Sequence, residues 1–201
     1  METAAALLDS LGSRPRVRPT FADIEALPEH LRGEILNGML VMSPRPAMTH
    51  IHVSSQLGGL IMAAMGVGMP RPGGWWIEFE PELHLDVDPD YLVVVPDIAG
   101  WRVETLPELP LTPACSVVPD WVCEVLSPGT EGTDRALKLP FYGRAGVRHV
   151  WIVDPLERTL EVYENDAGWR LIATHASERD AVVRAAPFLG TELPFARMFG
   201  R

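Results

Sequence analysis

The sequence predicts an α+β fold, a single domain with a central mixed, largely antiparallel sheet flanked by helices. Three observations predict it. Apolar residues at Ile51, Val53, Leu57, Leu60, Ile61 and Ala64 form a helical stripe, β-forming runs separated by Pro, Gly and Asp clusters fill Trp75 to Leu126, and Asn37-Gly38 marks a hairpin. The order helix, hairpin, helix, several strands, helix, several strands carries no internal repeat. At 201 residues, 47% hydrophobic and 22% charged, the chain can bury one substantial core, which excludes wholesale disorder.

Residues 1–19 end in Arg14-Pro15-Arg16-Val17-Arg18-Pro19 and are expected to form a flexible lead-in to a domain spanning 20–201. Thr20 can cap a short helix through Leu27, with Asp23 three residues on as in a capping box. Gly33 to Leu36 and Met39 to Ser43 flank Asn37-Gly38, so Glu34 lies on a hairpin strand. After Ser43-Pro44-Arg45-Pro46, a helix of about four turns follows Thr49 and His50. Strands are predicted at Trp75 to Phe79, Glu82 to Asp86, Leu92 to Trp101 and Val117 to Leu126. Ser127-Pro128-Gly129-Thr130 stops the last of these. Thr133 then caps a helix toward Arg144, which Pro140 should bend by removing a donor and crowding the preceding turn. Val147 to Asp154, Thr159 to Glu164 and Trp169 to Thr174 read as a closing meander.

The formal net charge of −10 argues against a protein that coats nucleic acid nonspecifically, yet an enzyme whose acidic centre holds a divalent metal remains compatible with it. Cys115 and Cys123 are too few for a disulfide framework and fit a reducing cytoplasm. The apolar stretch Ala4 to Leu8, behind an acidic flank, is too short for a signal-peptide core. Leu57 to Met69 contains four glycines and is shorter than the roughly 20 residues that span a bilayer, so no membrane association is expected.

Glu124 stands out because it sits inside the apolar run Trp121-Val122-Cys123-Glu124-Val125-Leu126. Val122, Glu124 and Leu126 share one face of the strand and Trp121, Cys123 and Val125 the other, so neither face offers water. A carboxylate there needs a cation or hydrogen-bond donors nearby, or it must protonate. A salt bridge to an arginine would suffice for an isolated acid. Here Leu92-Val93-Val94-Val95 runs into Pro96-Asp97, and the helix beyond supplies Asp134 and Lys138 at i,i+4 spacing. Two strand-borne acids and a lysine are the minimum for metal-assisted phosphodiester hydrolysis: the acids fix the cation and the lysine supplies positive charge beside the phosphate.

The sequence resembles the Uma2 family through Gly33-Glu34-Ile35-Leu36-Asn37-Gly38, Met42-Ser43-Pro44, His50, Pro96-Asp97, Glu124-Val125-Leu126-Ser127-Pro128, Asp134, Lys138, Tyr142, Gly146-Val147 and Trp151-Ile152-Val153-Asp154-Pro155. The resemblance spans roughly Thr20 to Phe188. That family is placed in the PD-(D/E)XK nuclease superfamily, so the resemblance implies a restriction-endonuclease-like core. It matches Asp97 to the first acid of the motif and Glu124 to the second. The lysine expected two positions after Glu124 is replaced by Leu126, and Lys138 looks like its migrated substitute. Glu34 matches the acid of the N-terminal hairpin.

These matches imply an endodeoxyribonuclease that uses Mg²⁺, with Mn²⁺ as a substitute. Asp97, Glu124, the Val125 carbonyl and Glu34 would bind the metal, and Glu34, Asp97, Glu124 and Lys138 would be the catalytic set. The three acids would lie close enough to share one cation. DNA would be the substrate, and a homodimer would cut both strands most simply. His50 fits the family pattern but equally suits a helix cap or a surface position. His52, Tyr142 and Trp151 are assigned to packing. A catalytically silent module for dimerisation or partner binding is the alternative, favoured by the acidity and the missing in-motif lysine. A two-carboxylate glycosidase is the remaining rival, disfavoured by Lys138 and the apolar strand.

Overall fold

The computed structural model describes residues 18–65, 74–87, 90–129 and 131–200. The expected lead-in, apart from Arg18 and Pro19, lies outside the described residues, as does Thr130. Thr20 donates its backbone N–H to Asp23 Oδ2 at 2.7 Å and starts α1 (Phe21–Glu25), as the capping pattern predicts. The strands β1 (Leu31–Leu36) and β2 (Met39–Pro44) then pair antiparallel around Asn37 and Gly38, whose φ values of 54° and 69° are those of a type I′ turn. Helix α2 (Met48–Met65) buries Val53, Leu57 and Ile61. A Cβ on its Gly58 would meet the Phe79 ring at 2.2 Å, so any other residue there would displace that ring from its present position.

The strands β3 (Trp75–Phe79), β4 (Glu82–Val87), β5 (Asp90–Val94) and β6 (Ile98–Arg102) follow, then the two-residue β7 (Ala114–Cys115) and the fully buried β8 (Trp121–Val125). One continuous helical segment, α3 (131–145), begins with Glu131–Thr133, widens into a π-helical turn at Asp134–Lys138 and ends as Leu139–Ala145. Leu139 N–H reaches back five residues to the Asp134 carbonyl. In place of a simple bend at Pro140, the helix widens in the turn before the proline, and both Asp134 and Lys138 are buried by that turn. Three strands close the fold: β9 (His149–Asp154), β10 (Thr159–Asn165) and β11 (Trp169–Ala176).

The α+β class stands, but the strands divide between two mixed sheets where one was expected. The five-stranded sheet has the order β2-β1-β5-β4-β7 and the six-stranded sheet β11-β10-β9-β8-β6-β3. Among the described residues, only β4 with β7 and β8 with β9 run parallel. The predicted strand from Leu92 to Trp101 is two strands in different sheets, and the chain changes sheet at Val95-Pro96-Asp97. Pro96 has no N–H for a ladder, which is why pairing stops there.

Two cores follow from the alternation along β8. Trp121, Cys123 and Val125 face α2 and the C-terminal segment, packing with Val53, Leu57, Ile61, Phe188, Phe195 and Met198. Phe188 meets Trp75, Trp121 and Trp151 edge-on at 4.9–5.7 Å, contacts worth about 0.5–1.5 kcal/mol each beyond burial. Val122 and Leu126 face the other way, into a core shared with Leu83, Leu85, Leu92 and Val94 of the five-stranded sheet and Phe141 and Tyr142 of α3. Glu124 lies on this second face. No helix among the described residues is long and apolar enough to cross a membrane.

Candidate active site

The site lies at the seam between the sheets, where four elements bring polar side chains together. Strand β1 contributes Glu34, the 95–97 connector contributes Asp97, β8 contributes Glu124 and Val125, and α3 contributes Asp134, Lys138 and Tyr142. Ile98 pairs with Cys123 in the β6–β8 register, so one further residue along brings Asp97 opposite Glu124. Glu34 accepts the Val95 N–H through Oε1 at 2.8 Å, which ties the connector to the hairpin. All of these acids and Lys138 line one cleft with Arg32, Ser43 and His50.

Lys138 Nζ lies 3.1 Å from Glu34 Oε1, 3.4 Å from Glu124 Oε1 and 3.6 Å from Asp134 Oδ1. Burial opposes its charge, but the carboxylates of Glu124, Glu34, Asp134 and Asp97 outweigh burial and hold its pKa well above the ordinary lysine value. Lys138 is therefore an ammonium. Glu124 is pushed well above the usual carboxylate range, first by burial and then by Asp134, Asp97 and Glu34, with Lys138 opposing them. Glu124 therefore resists ionisation. Asp97 accepts two hydrogen bonds on one oxygen, Oδ2, from Val125 N–H at 2.7 Å and from His50 Nε2 at 3.0 Å.

The structure thus brings Glu34, Asp97, Glu124, Val125 and Lys138 to one place, but not as three acids gathered around a cation. The ammonium of Lys138 stands among Glu34, Glu124 and Asp134, while Asp97 is turned toward His50 and the β8 backbone. Among the described residues, no three His, Cys, Asp or Glu side chains form a ready-made coordination shell. The donor chemistry nonetheless fits a divalent ion such as Mg²⁺. Four carboxyl groups share the cleft with one ammonium and one imidazole, and the Arg32 guanidinium that also lines it is paired with Glu80, which leaves an excess of hard oxygen donors.

Two members of the cluster were assigned elsewhere by sequence reasoning. Tyr142, read as packing, donates its hydroxyl to Glu124 Oε1 at 2.5 Å. Its signal was present, since Asp134, Lys138 and Tyr142 recur at every fourth position and share a helix face. His50 is neither surface residue nor simple cap but is buried against Asp97. His52 is exposed rather than packed, whereas Trp151 lies in the first core as expected. Because the Tyr142 bond serves a buried acid, Tyr142→Phe should lower stability by about 1.5–3 kcal/mol. Urea unfolding of the two proteins measures it, and an unchanged midpoint would mean that the hydroxyl contributes nothing to holding Glu124.

Comparison with known proteins gives a concordant result. A family model, Uma2, described as "Putative restriction endonuclease", matches residues 19–196. No curated protein matches the chain. Among solved structures, a crystal structure titled as a putative nuclease belonging to DUF820 from Anabaena variabilis is 22% identical with a TM-score of 0.70. That match covers 90% of this chain and 97% of the other, and it is a likeness of fold.

Proposed function

The chain belongs to the Uma2 family, and on that premise we propose that it is a divalent-metal-dependent endodeoxyribonuclease hydrolysing DNA phosphodiester bonds. Asp97, Glu124, the Val125 carbonyl and Glu34 would hold Mg²⁺, or Mn²⁺ in its place. When bound, such an ion lowers the pKa of water and offsets charge on the phosphate. Lys138, kept cationic by its acidic neighbours, stabilises the negative charge that develops on the attacked phosphoryl group. Tyr142 and the Val95 N–H fix the orientations of Glu124 and Glu34, so the acids need little reorganisation when substrate arrives.

The observation that carries this reading is the approach of Lys138 Nζ to within 3.4 Å of Glu124, fourteen residues upstream. Leu126 leaves the strand without the lysine of the superfamily motif, and α3 supplies one to the same carboxylate. A symmetric homodimer would cut both strands most simply. The free thiols Cys115 and Cys123 accord with action in the cytoplasm. The second reading, a silent module, draws support from the same lysine, whose charge is already engaged by three acids.

Incubation of supercoiled plasmid with Mg²⁺ or Mn²⁺ tests the proposal. Wild type should yield nicked and linear DNA. Asp97→Asn, removing a direct ligand, should lose more than the roughly 10–100-fold that loss of an outer-shell partner causes. No cleavage of supercoiled, linear or single-stranded DNA by wild type with either metal would overturn the nuclease reading and favour the silent module.

A further inference from the structure

His50 is the only buried polar residue on α2, whose other buried positions are Val53, Leu57, Gly58 and Ile61. It lies in the first turn, 6% exposed, at the point where that helix reaches the cleft. Its Nε2 is 3.0 Å from Asp97 Oδ2, so Nε2 carries the hydrogen and donates it. Its Nδ1 is buried with no hydrogen-bond partner among the described residues. An apolar side chain would pack here without an orphaned ring nitrogen, so packing alone does not account for histidine.

What the imidazole does provide is a second donor to a carboxylate that already accepts Val125 N–H at 2.7 Å. With one donor, the carboxylate could swing about its own axis. With two donors on Oδ2 from different elements, its plane is set and Oδ1 is the oxygen left for another ligand. We propose that His50 is a positioning residue, holding Asp97 by Oδ2 so that Oδ1 is available to the divalent cation. The inference rests on the metal-dependent reading above. It assigns His50 neither to the metal nor to the substrate: it acts through Asp97, as outer-shell partners of metal ligands do.

Mn²⁺ titration followed by electron paramagnetic resonance tests this without recourse to activity. Wild type is compared with His50→Ala, His50→Gln and His50→Asn. Gln places an amide N–H about where Nε2 lies, whereas Asn places it nearer the backbone and falls short. His50→Ala should weaken Mn²⁺ binding about 10–100-fold, and Gln should recover most of that loss while Asn does not. The Gln and Asn comparison keeps the test decisive even if Ala fails to fold. Wild-type affinity in His50→Ala, or equal affinity in Gln and Asn, would overturn this inference and leave the nuclease reading standing. Failure of the wild type to bind Mn²⁺ would overturn both.

Discussion

Lys138→Met is expected to destabilise the protein by about 3–5 kcal/mol, because it keeps the buried stem and removes the ammonium that pairs with Glu34, Glu124 and Asp134. Deleting one partner of a buried ionic cluster leaves the remaining charges without compensation. For a chain of this length the loss corresponds to a fall in Tm of roughly 6–20 °C. Glu124 should relieve part of the strain by taking up a proton, since burial already raises its pKa. The deficit relative to wild type is therefore largest at alkaline pH, where the acids stay ionised, and shrinks as falling pH protonates them. Added Mg²⁺ should raise the Tm of the variant, because a cation that binds only the folded state stabilises it. Under the proposed function, cleavage should be lost even so, because the ammonium assigned to the attacked phosphoryl group is gone. Calorimetry across pH, with and without Mg²⁺, reads all of this. An unchanged Tm would show that the acids do not depend on Lys138.

How much of this was legible in the sequence depended on the range of the signal. Asn37-Gly38 states its own backbone requirement, and the hairpin formed where expected with both residues at positive φ. Trp75 to Phe79 forms the strand read from its β-forming residues. Leu92 to Trp101 misled because its apolar character runs unbroken through the sheet change at Pro96-Asp97, and periodicity does not record which sheet a strand joins. Strand β7 is too short to carry a period. Residues 183–198 contribute Phe188, Leu193, Phe195 and Met198 to the first core without a regular helix or strand over most of their length, so no template matched them.

The site followed the same rule. Glu124 announced itself as an acid among apolar neighbours, and Asp134 with Lys138 by i,i+4 spacing. His50 did not, because its partner is 47 positions away and a histidine at a helix start has several ordinary explanations. Tyr142 was hidden by its ring, which packs in the second core while the hydroxyl serves Glu124. Tyr142 was missed because its apolar body meets the core pattern while its polar tip does something else.

Glu124→Gln should move function and stability in opposite directions. The substitution keeps the shape and an oxygen to accept the Tyr142 hydroxyl, and it leaves Lys138 paired with Glu34 and Asp134. What it removes is a charge that burial and the neighbouring acids oppose. The folded state binds the Glu124 proton more tightly than the unfolded chain does. Its contribution is therefore most favourable below the ordinary carboxyl range and declines as pH rises through the raised folded pKa. Gln, always neutral, lacks that decline, so at neutral and alkaline pH the variant should be as stable as wild type or more so. Under the proposed function, Mn²⁺ affinity and DNA cleavage should both collapse, by more than the roughly 10–100-fold of an outer-shell loss, because the proposed site would lose a direct ligand. Urea unfolding from acid to alkaline pH, beside Mn²⁺ titration, separates the two effects. A large loss of stability at neutral pH would make Glu124 chiefly the structural partner of Lys138, and undiminished Mn²⁺ binding would remove it from the metal site.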